Sequence, residues 1–449
     1  MLFLPYIVIY QKTQNMRKSF FFLFFCLPLM LEAQIDDVLT YEEAVAITLK
    51  NNFDILIAKN DAEIAIVENN LGNAGFLPKL DLNSGGSLAN NRTKQEFSSG
   101  AGVNKSGVVS KNINAGAVLS YTLFDGFKMF ATKARLELIE EQGALNLKIQ
   151  MENTLEQLTL NYYQMVKQEQ LIKGILSAMN VSDERIKLAQ KKLQIGSGSN
   201  VEVLQAKLDL NAQKSNLILQ RSILKEYKNN LLFIMQEKDN TAFSVDTNFY
   251  FAPLASIEEI RQRFETENRN LQYAKKNILL TEQLIKEIKS QSLPRLGVTS
   301  GYGFNRNSST AGFALFTQNL GYNIGFNFTW NLFNGFIVKK QVQVAQLQLQ
   351  NNRLDVDKIK SSLYTASNSA YARWLGDQEA LALEEENIQL AEQSLFIMLE
   401  RMKLGLGNYL ETKESQSSYE AAITRLVTAR YNLKESETRL KKITGDFIK

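Results

Sequence analysis

Histidine and cysteine, which often serve as general base and thiol nucleophile, are nearly missing from this 449-residue chain. There is no histidine, and Cys26 is the single cysteine, so the commonest general base, a thiol nucleophile and ordinary zinc ligands are lacking. The many serines and aspartates form no nucleophile elbow and no paired catalytic motif. We therefore predict that the protein is not an enzyme and has no catalytic residue, metal or cofactor.

Regularly placed carboxylates follow two glycine-containing turns. Ser199-x-x-Glu202 and Asn408-x-x-Glu411 fit helix N-terminal capping boxes, in which the first residue and the glutamate exchange hydrogen bonds. Acidic residues in a first helical turn are also favoured by the helix dipole. Glu414 lies outside the capping position, so capping does not account for it. The chemistry predicted for these carboxylates is electrostatic.

These turns belong to one of three motifs that occur twice in the same order. The motifs are Phe76-Leu77-Pro78-Lys79-Leu80 and Ser292-Leu293-Pro294-Arg295-Leu296, Leu123-Phe124-Asp125-Gly126-Phe127 and Leu332-Phe333-Asn334-Gly335-Phe336, and Ile195-Gly196-Ser197-Gly198 and Leu404-Gly405-Leu406-Gly407. The second and third motifs have the same spacing in both copies, whereas the spacing between the first and second differs by seven residues. The variable part should be a surface loop.

Each copy predicts a helix, a strand, a loop, a strand, a very long helix, a tight turn and a long helix. The first repeat is predicted over 34–250 and the second over 251–449. Strands are predicted at about 79–92, 112–124, 295–306 and 320–333, polar loops at 90–111 and 305–319, and long helices at about 128–195, 200–238, 337–404 and 409–444. The proline-free segment 128–195 would be about 100 Å long as one helix. Its apolar residues recur at three- and four-residue steps, which is typical of a coiled coil.

The predicted strands have two contrasting faces, most clearly from Gly321 to Leu332. One face carries Tyr322, Ile324, Phe326, Phe328, Trp330 and Leu332, and the other carries asparagine, glycine and threonine. A soluble half-buried sheet alternates in the same way. A lipid-facing sheet is favoured because aromatic residues cluster at one strand end, polar segments lie at the other, and an export signal precedes the strands. Four strands cannot close a barrel, so further copies of the chain must complete it.

Residues 1–33 form a predicted secretory signal peptide. Arg17 and Lys18 precede an apolar run that ends at Ala33, and Met16 is better placed than the first residue to start this signal. Lipidation of Cys26 is disfavoured because bulky phenylalanines precede it. No later segment reaches the roughly 18 to 20 apolar residues of a membrane helix. Any part that spans a membrane must therefore consist of strands.

The order of elements, the Leu-Pro junctions, the Leu-Phe-Asp/Asn-Gly-Phe strand ends and the Gly-x-Gly turns resemble the TolC family of outer-membrane efflux proteins over residues 34–449. The resemblance implies a mainly α fold with a membrane β-barrel portion, in which a trimeric twelve-stranded barrel joins a long α-helical periplasmic barrel. It places an equatorial belt at about 240–256 and at the C-terminal end. The implied function is an outer-membrane channel, the exit duct of a tripartite efflux or type I secretion system. The implied partners are two further copies in a homotrimer, a periplasmic membrane-fusion adaptor, an inner-membrane RND or ABC-type transporter and outer-membrane lipid.

The resemblance also assigns roles to residues. It places Glu202, Glu411 and Glu414 at a periplasmic gate, Gly196, Gly198, Gly405 and Gly407 at an adaptor-docking tip, and Phe124, Phe127, Phe333 and Phe336 in a periplasmic aromatic girdle. Met402 stands where the best-known family member has a gate tyrosine, and Gly407 stands where it has an arginine. The four glycines also fit ordinary helix C-caps, which need a positive φ.

Two other classes of protein are alternatives to the channel. A periplasmic coiled-coil adaptor or scaffold would share the export signal and the heptads but would lack lipid-facing strands. A secreted hydrolase would need a nucleophile and base, for which the sequence has no pattern. The balance of 51 basic and 47 acidic residues gives no indication of nucleic-acid binding.

Overall fold

A computed structural model describes residues 37–100, 102–238, 243–253 and 255–447. The predicted signal peptide, with Met16 and Cys26, lies outside these residues. The elements are β1 (Asp37–Leu39), α1 (Tyr41–Asn51), α2 (Phe53–Glu68), β2 (Lys79–Glu96), β3 (Gly102–Phe124), α3 (Lys128–Gln194), α4 (Asn200–Met235), β4 (Phe243–Val245), α5 (Ile257–Glu267), α6 (Arg269–Ser290), β5 (Arg295–Ser309), β6 (Phe316–Thr329), α7 (Ile337–Lys403) and α8 (Tyr409–Thr444).

Two helical hairpins form the long part of the molecule. Helices α3 and α7 have 67 residues each, which corresponds to about 100 Å. A tight turn joins α3 to α4 and another joins α7 to α8, and α8 also packs against α3. Among the described residues, no helix has the length and apolar character needed to cross a membrane.

The largest apolar core lies beside the middle of α3. Leu158 and Met165 of α3 are fully buried with Leu231 of α4. The chain following α4 crosses here, because β4 pairs in parallel with β1 and Phe249 stacks on Tyr163 with ring centroids 5.4 Å apart. The described part of the segment predicted as a belt therefore lies against the midpoint of the long helices.

The helix that leads into each half is broken in two, whereas the sequence predicts a single helix. Asn52 separates α1 from α2, and Asn268 separates α5 from α6. Each asparagine caps the second helix with its side-chain oxygen. Each also donates from its side-chain nitrogen to a carbonyl near the end of the long return helix, at Ile234 (2.9 Å) and Ile443 (3.0 Å). The break is thus a shared feature of both halves.

The four long strands form one antiparallel sheet in the order β2-β3-β5-β6. The prediction of loops at 90–111 and 305–319 is wrong over most of their length. Strand β2 continues to residue 96, β3 begins at residue 102, and β5 continues to residue 309. Ladder hydrogen bonds join backbone groups, so pairing continues through serine, asparagine and lysine once the apolar part fixes the register. Strand β6 ends at Thr329, so Trp330 and Leu332 lie beyond it.

Both strand-to-helix junctions contain two consecutive residues with positive φ. Gly126 (74°) and Phe127 (68°) precede α3, and Gly335 (64°) and Phe336 (64°) precede α7. This conformation costs an ordinary side chain about 1–2 kcal/mol. The glycines differ in their surroundings. A Cβ on Gly126 would lie 2.5 Å from the carbonyl oxygen of Ser290, whereas nothing lies within 4 Å of a Cβ on Gly335.

This difference gives a matched test of the junctions. Gly126→Ala combines backbone strain with a clash against the end of α6, so we expect it to lower the free energy of unfolding by about 3 kcal/mol. Gly335→Ala carries the strain alone, so about 1 kcal/mol is expected. Thermal unfolding of the two detergent-solubilised variants, followed by circular dichroism, measures the difference. Equal losses of stability would show that the approach of Ser290 to Gly126 is not restrictive.

Candidate functional site

The turns at the ends of the two hairpins, here called the tips (195–199 and 404–408), have the same backbone geometry. Gly196 and Gly405 have φ of 73° and 77°. After the first glycine, two backbone N–H groups bond to one carbonyl of the preceding helix, that of Lys192 in the first tip and Arg401 in the second. Gly196 and Gly405 therefore end the helices as the C-cap interpretation predicts. The same interpretation is wrong for Gly198 and Gly407, which do not have a positive φ.

The second glycine of each tip is confined by contact. A Cβ on Gly198 would lie 2.8 Å from the Cβ of Lys192, and one on Gly407 would lie 3.1 Å from the backbone nitrogen of Met402. Large apolar side chains surround the glycines and are exposed: Ile195, Val201, Leu404, Leu406 and Leu410. Sequence reasoning missed this apolar surface, although these residues flank the turn motifs directly.

The predicted gate carboxylates lie just after the tips. Ser199 Oγ accepts from the backbone N–H of Glu202 at 3.3 Å, and Asn408 Oδ1 accepts from that of Glu411 at 2.8 Å. Glu411 and Glu414 are exposed on the first turns of α8. Among the described residues, neither has a basic side chain within ion-pair distance. The Ser199 and Asn408 side chains thus cap the two helices, but within the described part of the chain neither Glu202 nor Glu411 accepts a hydrogen bond from the backbone N–H of the cap residue, so the predicted capping boxes are only half formed.

A polar cluster that the sequence analysis missed lies close behind the tips. We call it the Asp209 cluster: Arg185 of α3, Asp209 of α4, and Tyr409, Lys413 and Gln416 of α8. The Asp209 carboxylate accepts from Arg185 (3.2 Å), from the Tyr409 hydroxyl (2.7 Å) and from Lys413 Nζ (2.9 Å). Arg185 also donates to Gln416 Oε1 at 2.7 Å, and its guanidinium lies 4.6 Å from the centre of the Tyr409 ring.

The protonation states of the Asp209 cluster follow from these contacts. Arg185 is 1% exposed, and such a buried cation requires hydrogen-bonding partners. Burial alone would raise the pKa of Asp209, but hydrogen bonds from Lys413, Tyr409 and Gln205 outweigh it and hold this pKa below the ordinary value of 3.8. Burial, followed by the hydrogen bond to Asp209, raises the pKa of Tyr409. At neutral pH, Asp209 is therefore ionised while Tyr409 keeps its proton.

The cluster joins the two hairpins to each other. Gln416 of α8 donates to the Ala178 carbonyl (3.2 Å) and to Ser182 Oγ (2.8 Å) of α3. Lys192 Nζ of α3 donates to the Gly407 carbonyl of the other tip at 3.2 Å. Met402 is buried. It occupies the position at which the best-known family member has a gate tyrosine. The tyrosine that bonds the neighbouring hairpin is Tyr409, the first residue of α8.

The other end of the molecule is a sheet with one apolar face, here called the outward face. It carries Leu80, Leu82 and Leu88 of β2, Ile113, Leu119 and Tyr121 of β3, Val298, Tyr302 and Phe304 of β5, and Leu320, Tyr322, Ile324, Phe326 and Phe328 of β6, which the strand registers place on one side. Tyr322 and Phe326 are 81% and 76% exposed. The opposite face carries asparagines 112, 114, 305, 323 and 327.

The four predicted girdle phenylalanines lie where the sheet meets the long helices. Phe124 and Phe127 meet edge to face with ring centroids 5.1 Å apart, and Phe333 and Phe336 do so at 5.4 Å. Phe127, Phe333 and Phe336 are largely exposed. Within the described part of the chain, no group of acidic, histidine or cysteine side chains is arranged to hold a metal ion.

An exposed sheet face that is mostly apolar, joined to paired helices about 100 Å long, is the architecture expected of a membrane channel with a long helical extension. A family model described as outer membrane efflux protein matches residues 45–235 and 260–446. The chain therefore belongs to the outer membrane efflux protein family, and the predicted family, outer-membrane location and channel function are confirmed. The family consists of efflux ducts and not of enzymes, and its members work in general with adaptors and inner-membrane pumps.

Individual relatives are distant in sequence but close in fold. The outer membrane efflux protein BepC of Brucella suis biovar 1 (strain 1330) is 22% identical over 340 residues, which cover 74% of this chain and 71% of BepC. The Campylobacter jejuni CmeC outer membrane channel has a TM-score of 0.75 at 16% identity over 90% of this chain and 85% of that one. VceC from Vibrio cholerae has a TM-score of 0.73 at 14% identity, over 90% and 96%. The predicted mainly α fold with a β portion is thereby confirmed, apart from the number of copies in the barrel. The comparisons do not support the adaptor alternative.

The Asp209 cluster allows a prediction of stability and its pH dependence. Asp209→Asn leaves the buried Arg185 without its carboxylate, so we expect a loss of about 3 kcal/mol in the free energy of unfolding at neutral pH. Because the folded-state pKa of Asp209 lies below the unfolded value of 3.8, the contribution is present above that value and is lost as pH falls through the folded pKa.

Urea unfolding of the wild type and of Asp209→Asn, from about pH 7 to pH 3, measures this contribution. The difference between the two proteins should be constant at the upper end of the range and shrink below pH 3.8. Asp183→Asn on exposed α3 surface is the matched control and should change little. A difference between wild type and Asp209→Asn that grows on acidification would contradict the assignment.

Proposed function

We propose that three copies of this chain close into a single passive duct that carries substrates from an inner-membrane transporter, of the RND or ABC type, through the periplasm and the outer membrane. The pump and the duct would be joined by a periplasmic membrane-fusion adaptor in an efflux or type I secretion system. The proposal rests on a four-stranded sheet with a mostly apolar outward face and a polar opposite face, whose two edge strands have no neighbouring strand among the described residues.

Closure of the sheet favours three copies. Strands β2 and β6 are the edges, and unpaired backbone groups are not tolerated in lipid. Pairing β6 of one copy with β2 of the next removes both edges. Two copies would give an eight-stranded barrel, which side chains typically fill, whereas three give twelve strands and space for a polar lumen. The asparagines of the opposite face would line that lumen.

The tips would form the gate at the periplasmic end. In a trimer, Glu202, Glu411 and Glu414 would be repeated around the axis as rings of carboxylates, which attract cations and repel each other when the aperture narrows. The Asp209 cluster would hold the two hairpins of each copy together while the gate is closed. Opening would require these hydrogen bonds to exchange for others.

The turns themselves would be the docking surface for the adaptor. Gly196, Gly198, Gly405 and Gly407 permit close approach of another backbone, and the exposed apolar residues beside them supply area that a partner can bury. Phe124, Phe127, Phe333 and Phe336 would form an aromatic girdle at the periplasmic membrane surface. Aromatic side chains are enriched at the two membrane–water interfaces of membrane barrels.

Single-channel recording in a planar bilayer tests the proposed gate. The wild type should show a small, cation-preferring conductance. Glu411→Gln combined with Glu414→Gln removes charge without changing shape, so cation selectivity should fall and resting conductance should change, because carboxylate rings favour cations.

Glu96→Gln is the control, because Glu96 lies at the opposite end of the molecule on the sheet. It should leave selectivity unchanged. Unaltered current and selectivity in the double variant would remove both glutamates from the aperture, and a protein that never conducts would contradict the duct itself.

A further inference from the structure

On β3 and β5, the first charged outward residue after the apolar run is basic, whereas Leu88 of β2 and Phe316 of β6 are apolar at the level of Lys111. On β3, outward residues from Tyr121 to Ile113 are all apolar, and the next outward position is Lys111. On β5, outward residues from Leu296 to Phe304 are apolar apart from one serine, and the next is Arg306. These runs match the roughly nine to eleven residues of a tilted membrane strand. In the proposed membrane position of the sheet, both cations would lie near the level where hydrocarbon gives way to headgroups.

The two cations are neighbours. Lys111 pairs with Ser308 and Ile113 pairs with Arg306, so Lys111 and Arg306 are diagonal partners on adjacent strands, with Cβ atoms within about 8 Å. Both are exposed, and the Arg306 guanidinium lies 5.2 Å from the centre of the Phe316 ring. Among the described residues, no carboxylate lies within ion-pair distance of either cation. Adjacent like charges are unfavourable unless an anion lies between them.

Strand β2 extends the basic surface beyond this level. Arg92 and Lys94 follow Asn90 on the same side of the strand, and the carboxylate of Glu96 lies 3.7 Å from Lys94. Lys105 pairs with Thr93 and lies on the opposite face. The outward face of this end therefore presents four cations, Arg92, Lys94, Lys111 and Arg306, against one carboxylate.

We propose that this basic surface binds the phosphate groups of a phosphorylated lipid in the outer leaflet. The inference rests on the proposed membrane position of the sheet, in which the helices extend into the periplasm and the strand hairpins face the cell exterior. Acyl chains would lie on the apolar outward face while the phosphates reach Lys111 and Arg306. Arginine binds phosphate oxygens through two parallel hydrogen bonds, and lysine does so as a point charge.

Native mass spectrometry of the purified full-length protein in a nonionic detergent tests the proposal. The probes are bisphosphorylated lipid A and the same glycolipid after enzymatic removal of both phosphates. Lys111→Gln combined with Arg306→Gln should weaken retention of the phosphorylated lipid roughly 30-fold, the effect of losing two basic contacts with an anionic lipid surface. Lys105→Gln, which faces the other side, is the matched control and should retain the lipid as the wild type does.

The outcomes separate this proposal from that of the duct. Loss of the phosphorylated lipid only in the double variant supports the proposal. Two results would overturn it: equal binding of the two glycolipids to the wild type, or unchanged retention of the phosphorylated lipid by the double variant. Displacement of the lipid by millimolar inorganic phosphate would also overturn it, because it would show a site for free anions. Planar-bilayer conductance of each variant is recorded in parallel, so failure of the duct is seen independently of lipid retention.

Discussion

In hydrocarbon, every backbone N–H and C=O group must find its partner within protein, and this constraint governs the whole molecule. The sheet satisfies it between β2 and β3, β3 and β5, and β5 and β6, but within the described part of the chain one side of β2 and one side of β6 have no partner strand. In the proposed assembly, closure by further copies would fix the direction in which each strand leaves the barrel, and therefore the direction in which α3 and α7 begin. The duplicated sequence supplies both halves of each copy's arc.

The helices carry this arrangement about 100 Å away from the sheet, where a second kind of interaction takes over. Near the tips, Arg185 is buried and its partners come from α4 and α8. A buried ion pair gains little net stability because desolvation offsets the attraction, but removal of one partner is costly. Such a cluster therefore specifies how the hairpins pack against each other. Separating the hairpins would require several of its hydrogen bonds to break together, as expected for a gate with distinct closed and open states.

The sequence predicts the parts of the fold that depend on local patterns. Segment 128–195 is free of proline and regularly apolar, and the structure has α3 at Lys128–Gln194. Polar composition misleads at 90–111, because ladder hydrogen bonds do not require apolar side chains. The Asp209 cluster joins residues far apart in sequence, and aligning the turn with a family pattern directs attention to Met402 instead of Tyr409. No periodicity reveals such contacts, because the partners come from three different helices.

In the proposed assembly, closure of the sheet requires three copies of the chain. The native mass of the detergent-extracted protein, corrected for bound detergent, tests this most directly. We expect three chains in one particle, with strands that resist protease. Dissociation of the particle should coincide with loss of the strand signal in circular dichroism. A particle of one or two chains with the same intact sheet would contradict it, because the edges of β2 and β6 would then remain open or the lumen would be filled.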